Sequence, residues 1–250
     1  MQTRRTIAAR VTLVLALAAL LVAPATVTGA PSSETPLDPA LCAPDQNTFS
    51  LTIDNPYFPL PVDQQWVYTG KEQGESVGLQ ITVLNQTETL RFRGGRSVAT
   101  RVVEEVEWAD ENADGVMDEG ENLIEVSRNY FAQTQDGTVC YFGEAVDIYE
   151  DGVIVSHEGA WRADARGNAP GIFQPAEPQP GMTFQQEIAP GVAEDEATIL
   201  KFGTVKTPAG TFANAMTVRD FNPLDGSRGT KVYAPGVGLV VDGPLVLVSF

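Results

Sequence analysis

From Phe49 to the C-terminus, short runs of β-branched and aromatic residues alternate with glycine-, proline- and aspartate-rich turns. This punctuation constrains the fold most. Twenty-three glycines and 17 prolines leave little room for long helices. Strand-like runs fall at Gln65 to Thr69, Leu79 to Leu84, Thr87 to Phe92, Val139 to Phe142 and Val153 to Val155. They continue at Thr198 to Phe202, Thr204 to Lys206, Phe212 to Arg219, Thr230 to Tyr233, Gly238 to Val241 and Leu245 to Phe250. Between them lie Gly94-Gly95, Asp151-Gly152, Thr207-Pro208-Ala209-Gly210, Asp225-Gly226, Pro235-Gly236 and Asp242-Gly243. The pattern predicts an all-β domain: an antiparallel curved sheet, a half-barrel or a sandwich. Periodicity does not choose among these.

One interval in this series reads differently. Residues 110–121 are Asp-Glu-Asn-Ala-Asp-Gly-Val-Met-Asp-Glu-Gly-Glu, a complete twelve-residue EF-hand-type calcium loop. Calcium takes six to eight oxygen ligands. Asp110, Asn112 and Asp114 would supply side-chain oxygens, Val116 a backbone carbonyl, Asp118 a contact often made through water, and Glu121 both carboxylate oxygens. Gly115 falls where the chain turns sharply, and Met117 is placed to anchor the loop. An all-oxygen set argues against zinc or copper, and magnesium prefers a tighter octahedron, so the expected cofactor is Ca2+. The competing reading is an acidic, solvated hairpin tip.

The flanks admit two structures. Ala99, Val102, Val103, Val106 and Ala109 fall at helical spacing, yet Val102, Val106 and Trp108 could share one face of a strand. Downstream, Ile124, Val126 and Tyr130 alternate with Glu125, Ser127 and Asn129, which favours a strand. The expectation is an EF-type loop at a β-hairpin tip, with a structural rather than a sensor role, because the chain holds no second copy.

The N-terminus reads as a secretion signal over residues 1–25. Arg4, Arg5 and Arg10 precede an apolar run, Val11 to Val22, that ends near Ala23-Pro24-Ala25. Residues 26–48 read as a flexible Pro/Ser/Thr-rich lead, and 49–250 as one β-rich domain. The expected location is therefore secreted or cell-envelope, with no membrane span. Cys42 and Cys140 read as a disulfide in an oxidising compartment.

The formal net charge is −17, and cleavage after Ala25 would leave 13 basic against 33 acidic residues. Such a surface repels nucleic acid and anionic lipid, and suits cations or a basic protein partner. Ten of the acids lie between Glu104 and Glu125.

Enzyme signatures are scarce. His157 is the single histidine, and its neighbour Ser156 would point to the opposite face of a strand. No Walker or dinucleotide fingerprint is present. The reading leans away from catalysis. Two alternatives stay open. One is a half-barrel binding a lipid or small apolar ligand beneath the Gly/Pro-rich segment 163–181, which otherwise packs through Ile172 and Phe173. The other is a hydrolase using a carboxylate pair that the sequence does not locate. Trp66, Trp108, Trp161, Tyr57, Tyr68 and Phe58 read first as core residues.

Several segments carry a family likeness: Asn55-Pro56-Tyr57-Phe58-Pro59-Leu60, Tyr141-Phe142-Gly143-Glu144, Tyr149-Glu150-Asp151-Gly152 and Gly159-Ala160-Trp161. Thr207-Pro208-Ala209-Gly210-Thr211-Phe212 and Tyr233-Ala234-Pro235-Gly236-Val237-Gly238 belong with them. Together they resemble an uncharacterised family of secreted bacterial β-rich proteins. The likeness spans most of the chain after residue 50. It implies one domain and no particular activity. The last two segments also resemble a strand-turn-strand pattern of periplasmic proteins that bind lipid or lipoprotein.

Overall fold

The computed structural model describes residues 34–250, so the expected signal peptide lies outside the described residues. Among the described residues there are seventeen strands: β1 (Thr35–Pro36), β2 (Phe49–Ser50), β3 (Gln65–Glu72), β4 (Glu75–Arg91), β5 (Ser97–Ala109) and β6 (Leu123–Thr134). Then come β7 (Val139–Glu150), β8 (Val153–Ser156), β9 (Trp161–Arg162), β10 (Ala169–Gln174), β11 (Met182–Gln185) and β12 (Glu187–Ile188). The series ends with β13 (Glu196–Thr207), β14 (Gly210–Phe221), β15 (Arg228–Ala234), β16 (Gly238–Asp242) and β17 (Leu245–Ser249). Among the described residues there is no α-helix, only a 3-10 turn at Pro39–Cys42.

The strands form one large sheet that is not closed into a barrel. Antiparallel ladders run β7–β6–β5–β4–β3–β17–β16–β15–β14–β13–β11. The two wings approach at a short seam, where β10 pairs with β7 on one side and β12 on the other. The sheet is mixed rather than wholly antiparallel, because β1 pairs parallel with β11.

Several separately expected strands are one. Leu79–Leu84 and all but the last residue of Thr87–Phe92 are parts of β4, joined through a register shift between Val83 and Thr87. The two runs near Phe202 are both in β13, with register shifts at Ile199/Lys201 and Gly203/Val205. A bulge preserves the strand while interrupting alternation, so it mimics a break in sequence.

Part of the sheet is buried on both faces. Asn129 through Thr134 and Thr138 through Gly143 are all buried. On one face Phe131 stacks on Tyr141 and meets Phe58 and Phe173, with ring centroids 4.8, 5.1 and 4.7 Å apart. On the other, Phe142 meets Phe49 at 5.2 Å, and Cys140 bonds to Cys42. Two covered faces account for Val102 and Val103 both being buried. The helical spacing in β5 was therefore a product of double burial, not of a helix.

The Pro/Ser/Thr-rich lead enters the described structure at Glu34, and from there it is tied down. Thr35 N donates to Gly181 O, Leu37 N donates to Thr183 O, and Cys42 is fully buried in the disulfide. Asn55 fastens the next segment: its Nδ2 donates to Gly137 O and Pro175 O, and its Oδ1 accepts from Tyr57 N. Gly236 N donates to Pro56 O, and Trp66 Nε1 donates to Val237 O. The Asn55–Leu60 and Tyr233–Gly238 segments thus brace one another. The 163–181 segment is a packed connection. It contains β10, and Ile172 and Phe173 pack it into the core.

Candidate metal centre

Residues 110–122 connect β5 to β6, which are antiparallel partners, so strands and not helices flank the loop. Ala109 N donates to Asn122 O at 2.9 Å and closes the hairpin. The loop lies at the tip of this hairpin, as expected, but two of its residues fold back onto the sheet. Asp110 is fully buried and its N donates to Ser76 O. Gly115 is buried as well, and a Cβ there would sit 2.7 Å from Thr69 Cγ2. Its φ of +74° lies in the left-handed region that glycine adopts at little cost. The loop is thereby laid back on β3. Thr69 is opposite Gly78, which is opposite Trp108, so all three share that outer face.

Hydrogen bonds order the loop from within. Asp110 Oδ1 accepts from Asp114 N at 3.1 Å and Oδ2 from Gly115 N at 3.0 Å. Glu121 Oε1 accepts from Glu111 N at 3.0 Å and Oε2 from Asp118 N at 2.9 Å. Asp114 Oδ1 accepts from Val116 N, and Asn112 Oδ1 from Asp114 N. Asn112 Nδ2 lies 3.1 Å from Asp114 Oδ2 and 2.9 Å from Asp118 Oδ2. A partly positive amide nitrogen between two carboxylates occupies a position electrostatics favours for a cation. Rotating that amide by half a turn would present oxygen instead.

The donor set is all oxygen and fits a hard cation. Among the described residues, however, no group of three or more His, Cys, Asp or Glu side chains is close enough to hold a metal. The side chains that do meet are Asn112, Asp114 and Asp118, while Asp110 and Glu121 are turned to main-chain amides. Val116 is exposed, which does not bear on its carbonyl. Met117, expected as the anchor, is 45% exposed. Asp110 and Gly115 anchor the loop instead, because they are the residues that face β3 and β4.

A second group of titratable residues was not located by sequence reasoning. The row Trp66–Ile81–Glu105–Ser127 runs across β3, β4, β5 and β6, and Tyr68–Leu79–Glu107–Glu125 runs beside it. Directly opposite residues share a face, so Glu105, Glu107 and Glu125 project on the side of Trp66 and Tyr68. The Glu105-Val106-Glu107-Trp108 alternation is thus inverted: acids face the inner side and Trp108 the outer. Burial pushes Glu105 up to about 7, with Asp242 and Glu125 adding to it and Lys231 opposing. Burial, then Glu72 and Glu125, push Glu107 up to about 8. Burial and Asp195 likewise raise Glu187 to about 8. Glu144 is raised well above the usual carboxylate range by burial and Glu187.

Lys231 is the cation among these groups. Its Nζ is 3.6 Å from Asp242 Oδ2 and 3.7 Å from Asp220 Oδ2. Burial works to lower its pKa, but Asp242 and Asp220 outweigh it and the net shift is upward. Glu105, Lys231, Tyr68 and Tyr233 line a cavity of about 50 Å³. That holds a few waters and falls well below the several hundred cubic ångströms of a ligand pocket.

Trp66, Tyr68, Trp108 and Trp161 are buried, in line with a core role. His157 is largely exposed; its Nδ1 is 2.8 Å from Val146 O and 3.0 Å from Asp147 Oδ1. Ser156 Oγ accepts from Glu158 N, so serine and histidine take different partners.

Comparison with family models, curated proteins and solved structures finds no match. The family resemblance therefore rests on the sequence segments that carry it.

Proposed function

We propose that this chain is an exported protein binding one calcium ion in the 110–121 loop, and that the ion's role is structural. The loop's own hydrogen bonding carries the reading. The carboxylates at its first and last positions already organise the main chain, and Asn112, Asp114 and Asp118 turn toward one another. An ion binding there displaces the Asn112 amide nitrogen, draws Asp110 and Glu121 inward, and neutralises four carboxylates. No catalytic residue is assigned. The disulfide fits an oxidising compartment, and among the described residues no helix is long and apolar enough to cross a membrane.

The interior cavity beside Glu105 is too small to hold a lipid chain. It equally leaves no room for a sugar beside Glu105.

Calcium titration by calorimetry, with thermal unfolding in calcium and in chelator, tests the reading. Extracellular modules bind calcium in the tenth-millimolar to millimolar range. A tenfold excess over the dissociation constant stabilises by about 1.4 kcal/mol, so the expected outcome is a modest, chelator-reversible rise in Tm. Absence of both heat and shift at several millimolar calcium rejects it.

A further inference from the structure

The β4–β5 turn carries Arg93-Gly94-Gly95-Arg96, closed by Phe92 N donating to Arg96 O at 2.8 Å. This turn, the 163–168 segment and the chain around Pro44 enclose an open cleft of about 340 Å³. The volume lies within the range of small-molecule sites. Arg93, Arg96 and Arg166 line it, three of only 16 basic residues in a chain with 33 acids. Asp45 and Asp164 are the acids of the cleft. Asp164 is already committed. Its Oδ1 accepts from Arg162 Nε at 3.0 Å, and its Oδ2 accepts from Arg91 N at 2.9 Å and Arg162 Nη2 at 3.2 Å.

Arg96 Nη1 donates to Pro44 O at 3.1 Å, which holds one guanidinium at the cleft rim. Among the described residues, Arg93, Arg96 and Arg166 form no ion pair with a carboxylate. Three cations gathered against one free carboxylate repel each other, and an acidic protein has ample carboxylates with which to neutralise them. A guanidinium presents a planar fork of donors that matches the oxygens of a carboxylate or phosphate. Phe92 adds an apolar wall beside these donors.

We propose that this cleft binds a small organic anion, its phosphate or carboxylate head held by Arg93, Arg96 and Arg166 and its apolar body laid on Phe92. The surrounding acidic surface does not forbid this. At physiological ionic strength, exposed charges farther than about 8 Å away are largely screened. The cleft is separate from the 110–121 loop and shares no residue with it, so it stands or falls independently of calcium.

The test is calorimetric titration of the full chain at constant ionic strength with inorganic phosphate, phenyl phosphate and benzoate, in chelator. Saturable one-site binding of phenyl phosphate or benzoate, tighter than that of inorganic phosphate, supports the proposal. Which of the two saturates names the head group. The double variant Arg93→Gln/Arg166→Gln should weaken binding by about tenfold or more, as expected for loss of charge-assisted contacts. Arg96→Lys keeps the charge but loses the fork, and should weaken it less than the double variant. All three arginines sit at the protein surface, and unchanged thermal unfolding of the variants checks that they fold. Lack of saturable binding by every probe, or binding unchanged in the double variant, overturns the proposal.

Discussion

The ring of Trp108 lies against Gly78: a Cβ built on Gly78 would sit 2.3 Å from Trp108 Cε2 and Cζ2. The two are directly opposite on β5 and β4, on the face where the 110–121 loop folds back. Trp108 is 2% exposed, and it precedes the first loop residue, Asp110, by two positions. The burial of this indole and the order of the loop are therefore neighbouring events.

Gly78→Ala should displace Trp108. Overpacking of this kind costs about 1–3 kcal/mol. Chemical denaturation should show the loss, and tryptophan emission should move to longer wavelength. Wild-type stability with unchanged emission would mean that the contact is not held in solution.

Removing acceptors from the loop should separate its two roles. Asp110→Ala deletes both acceptors for Asp114 N and Gly115 N in a buried position, a loss of about 1–3 kcal/mol even in chelator. Asp110→Asn keeps one acceptor oxygen and should lose less. Glu121→Gln should abolish the calcium-dependent Tm rise while leaving stability in chelator within about 1 kcal/mol. Trp108 fluorescence during calcium titration reads the same event, and an undiminished response in Glu121→Gln contradicts the assignment.

Stability should fall as pH rises from about 4.5 to about 8 in chelator. Glu105, Glu107 and Glu187 have folded-state pKa values above their unfolded ones, at about 7, 8 and 8. Between the two values the unfolded chain has released a proton that the folded chain keeps, so each group subtracts about 1.4 kcal/mol per pH unit. Asp136 and Asp164 act the other way. Their lowered values contribute stability above the usual aspartate range that is lost as pH falls through their folded values. The optimum should lie on the acid side of neutral. Urea unfolding at a series of pH values checks this, and Glu107→Gln should flatten the decline. A flat profile from pH 5 to pH 8 would contradict it.

Reduction should loosen the N-terminal segment. The Cys42–Cys140 bridge closes a loop of sequence separation 98, for which chain-entropy arguments give up to about 4–5 kcal/mol. Cys42→Ser/Cys140→Ser should lower Tm accordingly and make residues 34–50 the first target of limited proteolysis. Equal Tm and an unchanged cleavage pattern would mean that the bridge adds little.

Much of the strand content was legible because turn chemistry is local. Asp151-Gly152 sits in the β7–β8 turn, both residues with positive φ, as the dipeptide suggests. The cysteine pairing was legible because two cysteines offer a single intramolecular bridge. Strand β5 was legible only in part: the expected hairpin around the loop is present, but burial on two faces blurred the alternation and gave its valines a helical spacing as well. The inner acids were missed for a related reason. In Glu105-Val106-Glu107-Trp108 the pattern alone puts the acids outward, and only register with Ile81 and Leu79 turns them toward Trp66 and Tyr68. Arg166 is far along the chain from Arg93 and Arg96, and the three share a cleft only because the β4–β5 turn and the 163–168 segment converge.

What the chain determines by itself is what neighbours along the backbone can settle: turn positions, β composition, the oxygen-rich loop and the lone cysteine pair. What needed the tertiary structure is which face each strand buries, that the loop lies back on β3, and which distant charges share a site. A pleated strand has two faces, and its own residues do not say which one the rest of the sheet will cover.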